Sequence, residues 1–335
     1  MILITGDSGF IGGYLSGFLV RRGQVPKGLD MNRKDVPGIA YPQTVGDILD
    51  SRAVAHAMQG ADTVIHLAAE HKDSGIDRER FFLVNVEGTR NLLRCASEAS
   101  VKKFIFFSSV AVYGSAPSPS EETAPVPVGP YGESKLEAED LVAQWGKEDE
   151  SRLALIIRPT VVFGPGNRAN IFRLIRYVCD GKFIWIGKGE NVKSLAYVEN
   201  LIQATVFLLE KLRHGVEVFN YVDEPQMTTH DLVSLIARKA GRSKPKLSIP
   251  MGIAMPAARL MDMIGSAIGH DFTITSARIR KFNTSTQFSV EKLRSMGFKA
   301  PFTIEEGLER NIRWYMDQPR IQPELSALRS VESGE

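Results

Sequence analysis

Cysteine is scarce: Cys95 and Cys179 are the only two in 335 residues. They are far apart and both fall in helical patterns, so the expectation is reduced thiols in a cytoplasmic protein, with no disulfide framework. Charge of one sign is also missing. The 41 Lys and Arg against 39 Asp and Glu leave a net +2, scattered without a basic run, and that removes the electrostatic footprint of nucleic-acid binding. The six histidines show no ligand spacing. His66 ends the apolar run from Thr63, where a packed histidine is expected and a metal ligand is not. Long apolar runs are absent too. The most apolar late stretch, Ile249 to Gly269, is broken by Pro250, Pro256, Arg259 and Asp262, short of the ~20 mostly apolar residues of a membrane span. It is expected to be a buried helix, with a membrane-surface element as the second reading. Met1 already opens a strand, so no signal peptide is expected. No internal repeat or low-complexity segment is visible.

What is present is a chain longer than one ordinary domain, 43% hydrophobic and able to bury a sizeable core. Strand-like runs at Ile2 to Thr5, Thr63 to Leu67, Phe104 to Phe107 and Leu153 to Ile157 alternate with helical patterns at Phe81 to Ala99 and Tyr131 to Trp145. Such alternation predicts an α/β fold, a Rossmann-like doubly wound parallel sheet. Beyond Gly166 the pattern loosens into a strand at Val216 to Tyr221 and helices at Thr229 to Ala240 and Thr303 to Tyr315. The expected organisation is a dinucleotide-binding domain over 1–166, with 194–222 returning to it. A smaller α/β substrate-binding domain follows over 167–193 and 223–317, then a fraying tail over 318–335.

The first strand runs into glycines at positions 6, 9 and 12 and then into a helical pattern through Leu15, Phe18 and Leu19. Gly6 suits a tight turn, Gly9 a close approach to a pyrophosphate, and Gly12 close packing of helix on strand. The helix N-terminus then faces the anion. Asp30 lies eighteen residues after Gly12, at the end of a second apolar stretch. An acid there accepts hydrogen bonds from the adenosine ribose and repels a 2'-phosphate, which favours NAD over NADP, although Arg33 lies nearby.

Tyr131 and Lys135 are four residues apart in a helical pattern, so a phenol and an ammonium share one face. A cation about 6 Å from a phenolate favours it by roughly 3 kcal/mol at an effective dielectric of ~20. A tyrosine so placed can act as a general base.

Together these features resemble the extended short-chain dehydrogenase/reductase family, in particular its nucleotide-sugar epimerase and dehydratase branch. The resemblance covers nearly the whole chain. It rests on Thr5-Gly-Asp-Ser-Gly-Phe-Ile-Gly12, Gly46-Asp47, His66-Leu-Ala-Ala69, Asn85-Val-Glu-Gly-Thr89, Ser108-Ser-Val-Ala-Val-Tyr-Gly114, Tyr131 to Lys135, and Arg158-Pro-Thr-Val-Val-Phe-Gly-Pro-Gly166. It implies that Ser109, four residues before the Tyr of the Val-Tyr-Gly run, hydrogen-bonds the reacting oxygen, with Ser108 as the second candidate. Tyr131 would exchange the hydroxyl proton, and Lys135 would hold the nicotinamide ribose. NAD would be bound by Gly6, Gly9, Phe10, Ile11, Gly12, Asp30, Asn32 and Arg33. Further contacts would come from Asp47, Ile48, Leu67, Ala68, Ala69, Asn85, Tyr131, Lys135 and Pro159.

The family's 4,6-dehydratases and decarboxylases carry an acid just after the catalytic Ser or Thr; here Val110 and Ala111 follow. The resemblance therefore implies hydride exchange at one carbinol carbon, most simply C4 of a UDP-hexose or UDP-N-acetylhexosamine, by a 4-epimerase, a 4-keto reductase or a dehydrogenase. In that alignment Lys193 with Arg280 or Lys281 would clamp the diphosphate, and Asn170 would bond sugar or phosphate oxygens. Lys at position 193, where an Arg is often seen, loses the bidentate fork. The expected partner is a small-molecule UDP-sugar, and a homodimer is left open. Two alternatives stay beside this reading: a 3β-hydroxysteroid or sterol dehydrogenase, and a dinucleotide-sensing regulator without catalysis.

Overall fold

Strands covered by helices on both faces need apolar side chains on both. The computed structural model, which describes residues 1–33, 39–71, 76–268 and 275–318, shows how this chain meets that need. Seven strands form one sheet: β1 (Ile2–Thr5), β2 (Lys27–Asp30), β3 (Gln43–Val45), β4 (Thr63–His66), β5 (Lys103–Phe107), β6 (Leu153–Pro159) and β7 (Gly215–Tyr221). Their order is β3-β2-β1-β4-β5-β6-β7, and every pairing is parallel. The order reverses beside β1, so the carboxyl ends of β1 and β4 open the crevice where such sheets take ligands.

Side chains of successive strand residues go to opposite faces. Ile4, Ile65, Ile105 and Leu155 pack with helices α1 (Phe10–Arg21) and α6 (Val198–Lys211). Leu3, Val64, Phe104 and Ile156 pack on the other face with α2 (Ser51–Met58), α3 (Gly88–Glu98) and α4 (Pro130–Lys147). The remaining elements include α5 (Asn170–Cys179), α7 (Thr229–Lys239), α8 (Met251–Ile268), α9 (Ser276–Asn283) and α10 (Ile304–Asp317). α5, α7 and α10 pack on one another, and Val161–Phe163 pairs with Leu195–Tyr197 beside the main sheet. α10 starts one residue after Thr303, whose side chain and that of Glu306 cap it reciprocally.

The differences from expectation have local causes. The helical pattern at Phe81 to Ala99 begins at Arg78 and contains a wide turn over Leu83–Glu87, which turns Asn85 inward. β3 has no counterpart in the apolar pattern because it is a three-residue edge strand with Val45 exposed. The Ile249 to Gly269 stretch is helical over Met251–Ile268, but the expectation that it is buried is corrected: Ile253, Leu260 and Met263 are exposed while Ala254 and Ala258 face the body. Composition alone does not say which side of an apolar helix meets the protein. Gly269 and the tail expected beyond Gln318 lie outside the described residues.

Candidate active site

The glycine loop is shaped by contacts that exclude side chains. Gly6 has φ +74°, and a Cβ there would lie 2.7 Å from the Ala68 amide nitrogen; on Gly12 it would lie 2.1 Å from the Gly6 carbonyl oxygen. Both are closer than real Cβ contacts allow, so the turn and the seating of α1 need glycine. Gly9 is the N-cap of α1 and supplies no side-chain acceptor, which leaves the first amides of the helix to an anion. Phe10 and Ile11 open the helix, with Phe10 meeting Tyr14 edge to face at 5.4 Å.

Asp30 ends β2 next to this loop. Its carboxylate accepts from the Ser8 amide at 3.2 Å and the Asn32 amide at 2.9 Å, and the Asn32 carbonyl accepts from the Ser8 hydroxyl at 2.6 Å. Arg33 follows directly. Asp47 turns the chain by accepting from the Leu49 amide at 2.9 Å, and Ile48 is buried against Gly88. Leu67 continues the β1–β4 pairing through its amide to the Thr5 carbonyl at 3.0 Å, and Ala68 backs Gly6. Asn85 closes the crevice: its amide donates to the Glu70 carbonyl at 3.0 Å and the Ser134 hydroxyl at 2.9 Å, and it accepts from the Glu70 amide at 2.8 Å. Pro159 ends β6, buried.

Past β5 the chain brings Ser109, Tyr131 and Lys135 to one strand end. Lys135 is 3% exposed, and its Nζ donates to the Phe107 carbonyl at 2.8 Å above the Phe106 ring. Burial pushes this ammonium down to about 7, with the Glu139 carboxylate pulling it back up. Tyr131 is half-buried one turn earlier, its ring edge-on to Phe81 at 6.2 Å. Ser109 caps a short turn, Val110–Tyr113, by accepting from the Ala111 amide at 3.1 Å, which leaves its hydroxyl proton for another acceptor. A Cβ on Gly132 would lie 2.7 Å from the Ala111 carbonyl, so the start of α4 is seated on the Ser109 turn. Ser108 is buried, with no partner for its hydroxyl among the described residues. His66 bonds Thr5 at 2.7 Å and Thr89 at 3.0 Å; burial first, then the Lys135 charge, push it down to about 3, so it stays neutral. Among the described residues no cluster of His, Cys, Asp and Glu could hold a metal ion.

The expected substrate residues are distributed differently. Lys193 and Lys281 meet, because the Lys193 Nζ donates to the Lys281 carbonyl at 3.1 Å and the Thr284 carbonyl at 2.8 Å, at the C-terminal end of α9. Burial and then the Lys281 charge push it down to about 8. Arg280 is exposed on the last turn of α9, and Asn170 is exposed at the start of α5, a separate element.

A buried network beneath the site was not legible in the sequence. Arg158 on β6 donates to Glu139 on α4 through Nε at 2.9 Å and Nη2 at 2.5 Å, and to the Tyr113 hydroxyl at 2.7 Å. That hydroxyl donates to the Asn220 side chain on β7 at 2.8 Å. The available signal was the four-residue step from Lys135 to Glu139, which puts a second charged group on the buried face of α4.

A parallel Rossmann-like sheet with this glycine cradle at the carboxyl end of β1 defines an NAD-dependent enzyme of the epimerase and oxidoreductase type. The chain belongs to the NAD dependent epimerase/dehydratase family, whose model matches residues 2–221. A relative from Escherichia coli O157:H7, N-acetyl-alpha-D-glucosaminyl-diphospho-ditrans,octacis-undecaprenol 4-epimerase, is 36% identical over 93% of this chain and 94% of its own. The sterol-4-alpha-carboxylate 3-dehydrogenase, decarboxylating, of Mus musculus is 27% identical over 92% of this chain and 89% of its own. The solved structure of MoeE5 in complex with UDP-glucuronic acid and NAD superposes with a TM-score of 0.75 at 26% identity, covering 94% of this chain and 98% of that one. No helix among the described residues is long and apolar enough to cross a membrane.

Proposed function

We propose that this chain inverts C4 of a sugar carried on a diphosphate, with an N-acetylhexosamine on a polyprenyl diphosphate as the favoured substrate. The observation that carries the reading is Lys135 bonded to the Phe107 carbonyl beside Ser109, at the strand end that shares an edge of the sheet with the glycine loop. The substrate class follows the relative with 36% identity. A UDP-sugar is the second reading, favoured by the nucleotide-sugar in the MoeE5 structure. The sterol alternative has weaker support, at 27% identity.

NAD, held by the glycine loop and Asp30, would supply hydride exchange at C4 when bound. Tyr131 removes the C4 hydroxyl proton and later gives it back, and Ser109 donates a hydrogen bond to the same oxygen. Lys135 holds the nicotinamide ribose and favours the phenolate. Val110 and Ala111 supply no acid next to Ser109, so elimination has no proton donor there. Arg280 and Lys281, at the end of α9 that Lys193 braces, are placed by this reading beside the diphosphate, and Asn170 contacts the sugar. The parts over 167–193 and 223–317 form the substrate side, and the two buried, unbridged thiols fit a cytoplasmic enzyme.

The test is incubation of the NAD-loaded protein with N-acetylglucosaminyl-diphospho-undecaprenol, UDP-N-acetylglucosamine and a 3β-hydroxysterol, followed by separation of the C4 epimers. The lipid-linked sugar should be epimerised with a kcat/KM at least tenfold above that of the nucleotide sugar, a difference of about 1.4 kcal/mol in transition-state binding. Higher efficiency on UDP-N-acetylglucosamine would select the second reading, and sterol oxidation without sugar turnover would reject both.

The Asp30 carboxylate, pinned by two amides, predicts the cofactor preference. NAD should bind at least tenfold tighter than NADP, again about 1.4 kcal/mol, and Asp30→Ala should narrow the gap. Calorimetric titration giving equal affinities in the wild type would show that Arg33 governs this pocket.

A further inference from the structure

α8 is built inside out. Its small residues Ala254 and Ala258 face the body and pack with Ile279, Ile186 and Ile249. At 100° per residue, Ile253, Leu260 and Ile264 fall on one stripe of the opposite face, with Met263 flanking it. Their exposures are 65%, 58%, 46% and 70%. The segment leading into α8 adds Leu247, also exposed, between the exposed Lys246 and β-paired Ser248. Scattered exposed apolar residues need no explanation, but a contiguous stripe of large ones does.

The charges around the stripe indicate what covers it. Lys244 and Lys246 precede α8, Arg259 is exposed on it, and Arg280 is exposed on α9, which packs against it. The acid of α8, Asp262, is directed to α9, where it accepts from the Ser276 amide at 3.1 Å. Face-to-face pairing of two copies through α8 would bring two sets of these cations together, whereas lipid phosphates would neutralise them. A helix with a large apolar face and basic neighbours suits the boundary between headgroups and acyl chains.

We propose that this face docks the protein on the surface of an anionic phospholipid bilayer, without spanning it. The inference deepens the epimerase reading, and rests on it only in that a substrate carried on a polyprenyl lipid is presented at such a surface.

The test is flotation of the full-length, NAD-loaded protein with vesicles of phosphatidylcholine alone or with three-tenths phosphatidylglycerol. Partition should be at least tenfold greater on the anionic vesicles, and the double variant Ile253→Glu with Leu260→Glu should lose at least tenfold of it. The double variant should keep its melting temperature and its turnover of a soluble nucleotide-linked sugar. Should it fail to fold, the single variant Leu260→Trp provides the second readout, a blue-shifted, bromolipid-quenched fluorescence component on vesicles. Absent wild-type flotation, binding retained by the folded double variant, or an unquenched Leu260→Trp signal overturns the docking. So does a wild-type dimer in light scattering that the double variant converts to monomer, which assigns the face to a second copy. Vesicle binding without turnover of any diphosphate-linked sugar leaves the docking standing and rejects the epimerase reading.

Discussion

Tyr131→Phe loses ~10² to 10⁴-fold in kcat and leaves NAD affinity within a few-fold. The substitution deletes one oxygen from a half-buried ring and keeps the edge contact with Phe81. The groups that shape the glycine loop, Gly6, Gly9 and Gly12, belong to β1, α1 and the turn between them. α4 keeps its seat on the Ser109 turn through Gly132, so the lost oxygen can affect proton transfer without moving the helix. The measurement is single-turnover kinetics beside calorimetric NAD titration. A variant keeping half the wild-type kcat on its substrate would remove Tyr131 from the chemistry, and a parallel loss of NAD binding would mean the change disturbed the site.

Glu139→Ala should cost about 3 to 5 kcal/mol of stability, the typical penalty for leaving a buried charge without its partner. Arg158 and Glu139 are 5% and 4% exposed, and the guanidinium is held by two bonds to this carboxylate. Truncation leaves the Tyr113 hydroxyl as the remaining acceptor within the network described. The melting temperature should fall by roughly 5 °C or more. Glu137→Ala, at an exposed position of the same helix, is the control and should stay within about 0.5 kcal/mol. A Glu139→Ala loss below about 1 kcal/mol would show that water reaches Arg158. The effect should extend to the site, because Glu139 also opposes the burial that lowers the Lys135 ammonium. Without it the ammonium loses its proton at a lower pH than in the wild type, so the alkaline limb of the kcat profile should move to lower pH.

The parts legible in the sequence are those whose physics is local. β1, β4, β5 and β6 were readable because strands covered on both faces are apolar without interruption, and their counterparts in space start within a residue of those runs. The glycine loop was readable because Gly6 takes a positive φ and a Cβ on Gly12 would meet the Gly6 carbonyl, constraints set within twelve residues. The four-residue step from Tyr131 to Lys135 follows from helix pitch alone. Tertiary structure decided the rest. β3 is a short edge strand whose identity depends on β2 being beside it. Lys193 pairs with the end of α9 across 88 positions, and Arg158 finds Glu139 across 19, distances at which spacing carries no geometric information. The same holds for α8. Its composition announced an apolar helix, but which side faces outward was set by Ala254 and Ala258, whose small side chains let the helix approach Ile279, leaving the larger side chains on the outer face. Local sequence determines which conformations the backbone favours; the packing of distant segments determines which atoms end up buried, paired or exposed.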